Sequence, residues 1–243
     1  MEVVITSDCN VAAGPSSVGN GRGGGSSALH NDLSAEISRK VARISTRRQF
    51  EAGAFLFRVG TPAREVYTID EGIGQSLLHL ADGRRAILNF AFAGDVIGFP
   101  VPGCHTASTQ AITKLTVTCL PIEALKALFH RHPAIQWRFL CKLSDELGLA
   151  QRRALALTRY DARQKIVVFL AYLHRQSVLH ESDGLVRIPT DRIGIADHLG
   201  LTIETVSRLL QRLHRSNVIS LEGYHKFRIT DRAAFDSLIP RLT

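Results

Sequence analysis

The 243-residue sequence lacks long apolar runs and closely spaced cysteines. No apolar run approaches the roughly 18 residues that are needed to span a bilayer, which predicts a protein without a membrane segment. The four cysteines (Cys9, Cys104, Cys119 and Cys141) stand far apart, so they predict no disulfide framework and suit a reducing compartment. The first residues, MEVVITSDCN, lack the basic region of a secretory signal. Together these absences predict a cytoplasmic protein.

The sequence also lacks the residue patterns of enzymes and metal sites. It contains no nucleophile–base pair in a motif context, no glycine-rich loop that could cradle a phosphate, and no zinc-ligand spacing. We therefore predict that the protein is not an enzyme and carries no cofactor and no metal. Its formal net charge of +8 favours an anionic partner. The segment 159–243 has 13 Lys/Arg and 9 Asp/Glu, an excess of +4, so half of that charge lies in about a third of the chain.

Composition and periodicity divide the chain into four parts. Residues 1–28 contain GPSSVGNGRGGGSS and predict a flexible Gly/Ser-rich tail, because they offer too little apolar surface to offset the entropy of ordering. Residues 29–131 alternate strand-like runs with glycine turns, which is typical of an antiparallel roll or barrel. Residues 132–159 predict one long helix, and residues 160–243 predict a winged helix-turn-helix, so the fold class is α+β. The strand-like runs are Val66–Ile69, Ser76–Leu80 and Ala86–Phe90.

The stretch from Asp191 to Asn217 has the pattern of two short helices joined by a tight turn. Gly200 predicts the end of the first helix, because glycine reaches the left-handed conformation without a steric penalty. Thr202 is placed to cap the second helix. This arrangement predicts a helix-turn-helix. The apolar residues assigned to one face of the first helix are Ile193, Ala196 and Leu199, and those of the second helix are Val206, Leu209, Leu210 and Leu213.

The polar side of the second helix indicates the function. In a helix-turn-helix, the N-terminal part of this helix meets base edges in the major groove of double-stranded DNA. Arg208 can donate two hydrogen bonds to a guanine, Glu204 can accept one from a cytosine, and Ile203 can contact a thymine methyl group. The alternative interpretation is a solvated charged face, which most amphipathic helices have. The predicted DNA-contacting residues are Thr202, Ile203, Glu204, Thr205, Ser207, Arg208 and Arg212, and the wing can place Lys226 or His225 near phosphates.

The sequence on either side of the predicted helix-turn-helix has the patterns of a further helix, a short strand and a hairpin. Asp161 is placed to cap a helix over Asp161–Gln176. A short strand is expected at Leu185–Ile188. The runs Val218–Leu221 and Lys226–Ile229 flank a glycine-containing turn and predict the hairpin of a wing. The residues expected to be buried on the capped helix are Ile166, Val168, Phe169, Ala171 and Leu173.

The long helix carries a narrow apolar stripe, which we call the seam. Its members are Leu140, Leu143, Leu147, Ala150, Ala154 and Leu157, at intervals of 3, 4, 3, 4 and 3 residues. This heptad spacing is typical of paired helices and predicts a homodimer, since no charged residue interrupts it. The alternative is a helix that packs in the core of its own subunit, with Trp137 and Phe139 making those contacts on the side opposite the seam.

The segment Leu199–Leu210, LGLTIETVSRLL, resembles the Crp/Fnr family of transcription regulators, and within it the FNR/FixK branch. The E-x-x-S-R signature of the branch falls on Glu204, Ser207 and Arg208. The resemblance implies a homodimeric regulator, acting as an activator with RNA polymerase, that reads inverted repeats of a TTGA-type half-site. It also implies control of genes for microaerobic respiration, nitrogen fixation or denitrification. Catabolite-activator-like members differ at the positions of Ile203 and Ser207, which favours the FNR/FixK target.

The resemblance further implies a cyclic-nucleotide-binding-like β-roll for residues 29–131, but the ligand residues differ. Relatives that bind cAMP use a Glu for the ribose and an Arg-Ser pair for the phosphate. Here Phe99 and the pair His105-Thr106 stand at those places, so we expect no cAMP binding. Oxygen-sensing members hold an iron–sulfur cluster with closely spaced N-terminal cysteines. Only Cys9 is present in that region, so this cluster is not expected.

A second hypothesis is a haem-, redox- or small-molecule-responsive regulator that uses the β-roll pocket. Cys104 and His105 are adjacent, and a thiolate beside an imidazole could ligate haem iron. The simpler interpretation makes Cys104 a buried thiol and His105 a surface loop residue. A third hypothesis is an enzyme with an appended DNA-binding domain.

Overall fold

The computed structural model describes residues 39–99 and 103–240. The predicted tail, residues 1–28, and its Cys9 lie outside the described residues. Within those ranges, no helix combines the length and apolar character that crossing a bilayer requires. The strands are β1 (Thr46–Phe50), β2 (Phe55–Phe57), β3 (Glu65–Glu71), β4 (Gly74–His79), β5 (Arg85–Ala91), β6 (Val96–Ile97), β7 (Ser108–Ala111), β8 (Leu115–Pro121), β9 (Val186–Arg187), β10 (Ile219–Glu222) and β11 (Lys226–Ile229). The helices are α1 (Ile122–Arg131), α2 (Pro133–Arg159), α3 (Ala162–His174), α4 (Arg192–Leu199), α5 (Ile203–Arg215) and α6 (Arg232–Ser237).

The first eight strands form two four-stranded antiparallel sheets. Their strand orders are β1-β8-β3-β6 and β2-β7-β4-β5. Alternate residues of a strand point to opposite faces, and the strand β8 sequence LTVTCLP accordingly places Leu115, Val117 and Cys119 in the core between the sheets. Strand β3 adds Tyr67 and Ile69. These sheets confirm the predicted β-roll; the predicted runs Val66–Ile69 and Ala86–Phe90 lie in β3 and β5, while Ser76–Leu80 passes the end of β4 by one residue.

Helix α3 begins as its sequence predicts. Asp161 is its N-cap and accepts a hydrogen bond from the backbone N–H of Gln164 at 2.8 Å, while the Gln164 side chain accepts one from the backbone N–H of Asp161 at 3.0 Å. The predicted inward face is partly wrong. Val168 and Ala171 are only half-buried, because the face of the helix that turns to the core is centred on other residues. The fully buried residues of α3 are Ile166, Val167, Phe169, Leu170 and Leu173.

The β-roll and the C-terminal helices share one hydrophobic core. Ile87 and Phe90 of β5 belong to the same buried cluster as residues of α3, α4 and α5. Two polar contacts join β5 to α4. The Arg85 guanidinium lies 2.8 Å from the Asp197 carboxylate, and the His198 Nδ1 donates to the Ile87 carbonyl oxygen at 3.0 Å. The helix-turn-helix is therefore docked against a strand of the β-roll.

The long helix α2 packs on its own chain through the side that carries Phe139. The Phe139 ring lies 5.1 Å from that of Phe129 and 6.2 Å from that of Phe99, measured between ring centroids. The prediction that Trp137 packs on the same side is wrong, since this residue is 67% exposed. Residues two apart on a helix lie about 200° apart around its axis, so Trp137 and Phe139 cannot face the same neighbour.

Candidate nucleic-acid interface

Helices α4 and α5 form the predicted helix-turn-helix. Gly200 ends α4 in the left-handed conformation, with φ 63°, and the Leu201 backbone N–H bonds to the Ala196 carbonyl oxygen at 3.1 Å. Thr202 then caps α5, because its hydroxyl accepts a hydrogen bond from the Thr205 backbone N–H at 3.2 Å. The turn is thus fixed by one glycine and one cap. Both follow from the local sequence.

Helix α5 buries the predicted apolar face. Its buried residues are Val206, Leu209, Leu210 and Leu213. Against them lie Ile195, Ala196 and Leu199 of α4, which are also buried. The prediction for Ile193 is wrong, because this residue is 49% exposed. Ile193 precedes the buried Ile195 by two positions and so falls on the outer side of the helix.

The side of α5 that faces solvent carries the predicted base-reading residues. Glu204 and Arg208 are exposed, Ile203 is 42% exposed, and Ser207 is half-buried. A Glu and an Arg spaced four residues apart on a helix often form an ion pair, yet none joins Glu204 to Arg208 here. The Arg208 side chain has no hydrogen bond or ion pair with any other described residue. Arg208 is therefore available to an external partner.

The electrostatics at the start of α5 favour an ionised Glu204. Its own backbone N–H, followed by the Thr202 hydroxyl, lowers the pKa of the Glu204 carboxyl below its usual value. The carboxylate is thus present at neutral pH as a hydrogen-bond acceptor. Arg212 lies one turn beyond Arg208 and is also exposed, while Thr205 is half-buried. The first two turns of α5 consequently present an acceptor and a donor side by side.

The wing is present, but Lys226 is not a free cation. Strands β10 and β11 pair antiparallel, and Gly223 takes a positive φ of 60° in the turn between them. The Lys226 ammonium lies 2.8 Å from the Glu181 carboxylate, which raises the pKa of Lys226. A phosphate would have to compete with this ion pair. Tyr224, which is 74% exposed in the wing turn, is an additional candidate contact that the sequence prediction did not name.

The seam on α2 is exposed along its whole length. Leu147 is 59% exposed, Leu140 50%, and Leu157 43%, and the remaining members (Leu143, Ala150 and Ala154) are also exposed. A soluble chain rarely leaves a continuous apolar stripe uncovered. The structure thus brings the six predicted interface residues onto one open surface, away from the helix's contacts with Phe129 and Phe99.

At the site where the contacts to cAMP are predicted to be missing, the burial of two side chains differs from the prediction. The interpretation of Cys104 as a buried thiol and His105 as a surface residue is wrong: Cys104 is exposed and His105 is 4% exposed. The imidazole is buried because it stacks on the Phe57 ring, with ring centroids 3.8 Å apart. Burial lowers the pKa of His105, so the ring is neutral and offers no charge to a cyclic phosphate. In the described ranges, no group of three or more His, Cys, Asp or Glu side chains could hold a metal ion.

Comparisons with known proteins agree with this geometry. Residues 47–132 match the model of the cyclic nucleotide-binding domain, and residues 164–238 match that of the Crp-like helix-turn-helix domain. The chain is 32% identical to the nitrogen fixation regulation protein FixK of Bradyrhizobium diazoefficiens over 200 residues, which cover 80% of this chain and 83% of that protein. It is 32% identical to the transcriptional activator protein FnrL of Cereibacter sphaeroides, with 79% and 80% covered. The solved structure of FixK2 from Bradyrhizobium japonicum superposes with a TM-score of 0.77 at 26% identity, covering 82% of this chain and all of that one.

Proposed function

The chain belongs to the Crp/Fnr family of transcription regulators, and from this premise we propose that it reads inverted repeats of a TTGA-type half-site as a homodimer. It is a DNA-binding regulator of the FixK/FNR branch, and the family is one of regulators rather than enzymes. The observation that carries the proposal is the unpaired, exposed Arg208 beside Glu204 on the first two turns of α5. Because the Glu204 carboxylate and the Arg208 guanidinium are not paired with each other, both can form hydrogen bonds with base edges.

Each residue of the interface has a role that follows from its chemistry. The Arg208 guanidinium donates two hydrogen bonds to the guanine of TTGA, and Glu204 accepts one from a cytosine on the other strand. Ile203 contacts a thymine methyl group, and the small Ser207 lets the backbone approach. The remaining members of the interface bind the sugar-phosphate backbone and position the helix without reading sequence. They are Thr202, Thr205, Arg212 and Lys226.

Dimerisation through the seam supplies the second recognition helix. Helix α2 has 27 residues and is therefore about 40 Å long, at 1.5 Å per residue. Pairing two copies buries the exposed leucines and holds two α5 helices on one side of the assembly. Such dimers bind half-sites about 34 Å apart, one turn of DNA. An inverted repeat in the DNA is the expected counterpart of a two-fold axis in the protein.

The biological setting is proposed from the relatives. FixK is named for nitrogen fixation regulation and FnrL as a transcriptional activator. By analogy, this chain activates transcription together with RNA polymerase in the bacterial cytoplasm, at genes of microaerobic respiration, nitrogen fixation or denitrification. It does so without cAMP, because neutral His105 and apolar Phe99 offer a cyclic nucleotide no ionic contact. No bound cofactor is needed for DNA reading in this proposal.

Selection of binding sites from random duplex DNA tests the proposal. The purified full chain should enrich two TTGA-type half-sites in inverted orientation, separated so that their centres lie one helical turn apart. Enrichment of a single half-site would contradict the dimer, and enrichment of GTGA half-sites would contradict the assignment of Ile203. Sequences with no shared motif would contradict base reading altogether.

A further inference from the structure

A cavity of about 260 Å³ lies where the long helix α2, helices α3 and α4, and strand β5 meet. This volume is slightly below the roughly 300–1,000 Å³ that is typical of small-molecule sites. Its interior is apolar: Ala156 of α2, Phe169 of α3 and Leu199 of α4 line it, and all three are buried. Leu88 of β5 also lines it and is 45% exposed, and the seam residue Leu157 lines the edge that the proposed dimer covers. The cavity therefore has an apolar interior and a partly apolar entrance.

The charged residues that line this cavity all have the same sign. They are Arg152, Arg153, Lys165 and Arg175, and no carboxylate of the described residues lines it. The Arg153 guanidinium is engaged, since it donates to the Tyr172 hydroxyl at 3.3 Å and lies 5.1 Å from the centre of that ring. The side chains of Arg152, Lys165 and Arg175 form no hydrogen bond or ion pair with the described part of the chain. Uncompensated cations around an apolar cavity attract a ligand that is anionic at one end.

The apolar end of the cavity carries no charge of its own. His198 lines it, and burial lowers the pKa of this histidine to about 4, so the ring is neutral at physiological pH. Its Nδ1–H is already donated to the Ile87 carbonyl oxygen. The positive groups are exposed or half-buried, whereas the apolar lining residues Ala156, Phe169 and Leu199 are buried. The cavity thus separates an uncharged interior from a cationic edge.

We propose that this cavity binds a small amphipathic carboxylate, of the size of a medium-chain fatty acid. The apolar tail would lie against Phe169 and Leu199, and the carboxylate would bind Arg152 and Lys165. Charged hydrogen bonds of this kind are stronger than neutral ones. The site is separate from the place predicted for a cyclic nucleotide, because neither Phe99 nor His105 lines the cavity.

A ligand here would touch both halves of the molecule at once. The cavity is lined by Leu88 of the β-roll, by the seam residue Leu157, and by His198 and Leu199 of the helix-turn-helix. A bound tail would add contacts between β5 and α4 and so favour the docked position of the DNA-binding domain. Ligand concentration could then be coupled to DNA affinity. Binding of such a ligand can be measured without DNA.

Calorimetric titration of the full chain with decanoate and with decanol tests the site. The two probes share a tail and differ in charge. Decanoate should bind at least about tenfold more tightly, a difference of about 1.4 kcal/mol, because only the carboxylate can pair with the cations. Equal affinities for the two probes, or no binding of either, would overturn the proposal without affecting the proposed function.

Three variants locate the binding within the chain. Arg152→Gln combined with Lys165→Gln should abolish the preference for decanoate over decanol. Val168→Phe, which enlarges a half-buried residue that lines the cavity, should weaken the binding of both probes. Arg159→Gln removes a cation from the same long helix outside the cavity and should change neither affinity. Retention of the preference by the double variant, or its loss in Arg159→Gln, would show that decanoate binds elsewhere.

Discussion

Replacing Leu147 by glutamate tests whether the seam of the long helix forms the dimer. Leu147 is 59% exposed in the single chain. Complete burial of a leucine stabilises by roughly 1.5–3 kcal/mol, so covering the exposed part contributes about 0.9–1.8 kcal/mol in each protomer. Losing both contributions weakens association by about 1.8–3.5 kcal/mol, which raises the dimer dissociation constant about 20- to 400-fold. Repulsion between the two opposed carboxylates makes this a lower bound.

Sedimentation equilibrium over a range of protein concentrations measures this dissociation constant. Cys141→Glu is the matched control, because it adds the same charge at an exposed position outside the seam of the same helix and should leave the dimer intact. A mixture of Leu147→Glu and Leu147→Lys chains should restore pairing, since opposite charges then face each other. If Leu147→Glu alone dimerises as tightly as the unaltered chain, the dimer interface lies elsewhere and not in the seam.

Three further predictions concern the ligand, the wing and pH. Adding cAMP should leave DNA affinity unchanged in fluorescence anisotropy titrations, because Phe99 and neutral His105 cannot bind its phosphate; a tenfold tightening, about 1.4 kcal/mol, would contradict this. Glu181→Gln should strengthen binding to all DNA sequences alike and steepen the salt dependence by about one to two units, because it releases both Lys226 and Arg187 for phosphates; unchanged affinity would mean that neither cation reaches DNA. Burial lowers the pKa of His198 to about 4, so the unfolded chain takes up a proton that the folded chain does not, and stability should fall as pH drops from about 6.5 to about 4. Urea unfolding of His198→Gln should show a shallower fall over that range, and an unaltered slope would exclude His198 as its cause.

The features that the sequence predicted well depend on neighbouring residues. Gly200 ends a helix, Thr202 caps the next one and Asp161 caps α3, and each does so through atoms within four positions along the chain. The apolar face of α5 was also predicted correctly, because its spacing leaves only one side for burial. Local backbone geometry and helical periodicity were sufficient for these features.

The errors arise where the neighbour comes from a distant part of the sequence. The buried face of α3 could not be located without knowing that Ile87 and Phe90 of the β-roll pack in the same core. His105 was misplaced because its stacking partner, Phe57, lies 48 residues away. Two other features also arise only in the tertiary fold. They are the ion pair between Glu181 and Lys226, and the cavity lined by Leu88 and by residues of four later segments.

Site selection with two arginine variants tests whether Arg208 reads a base. Arg208→Ala should cost about 1–3 kcal/mol on the best site and relax the preference at the guanine of TTGA. Arg215→Ala removes the same charge from the exposed last turn of α5 and should keep the full sequence preference. If Arg208→Ala chains still selected the complete TTGA inverted repeat, Arg208 would not read the guanine and would serve only to neutralise phosphate.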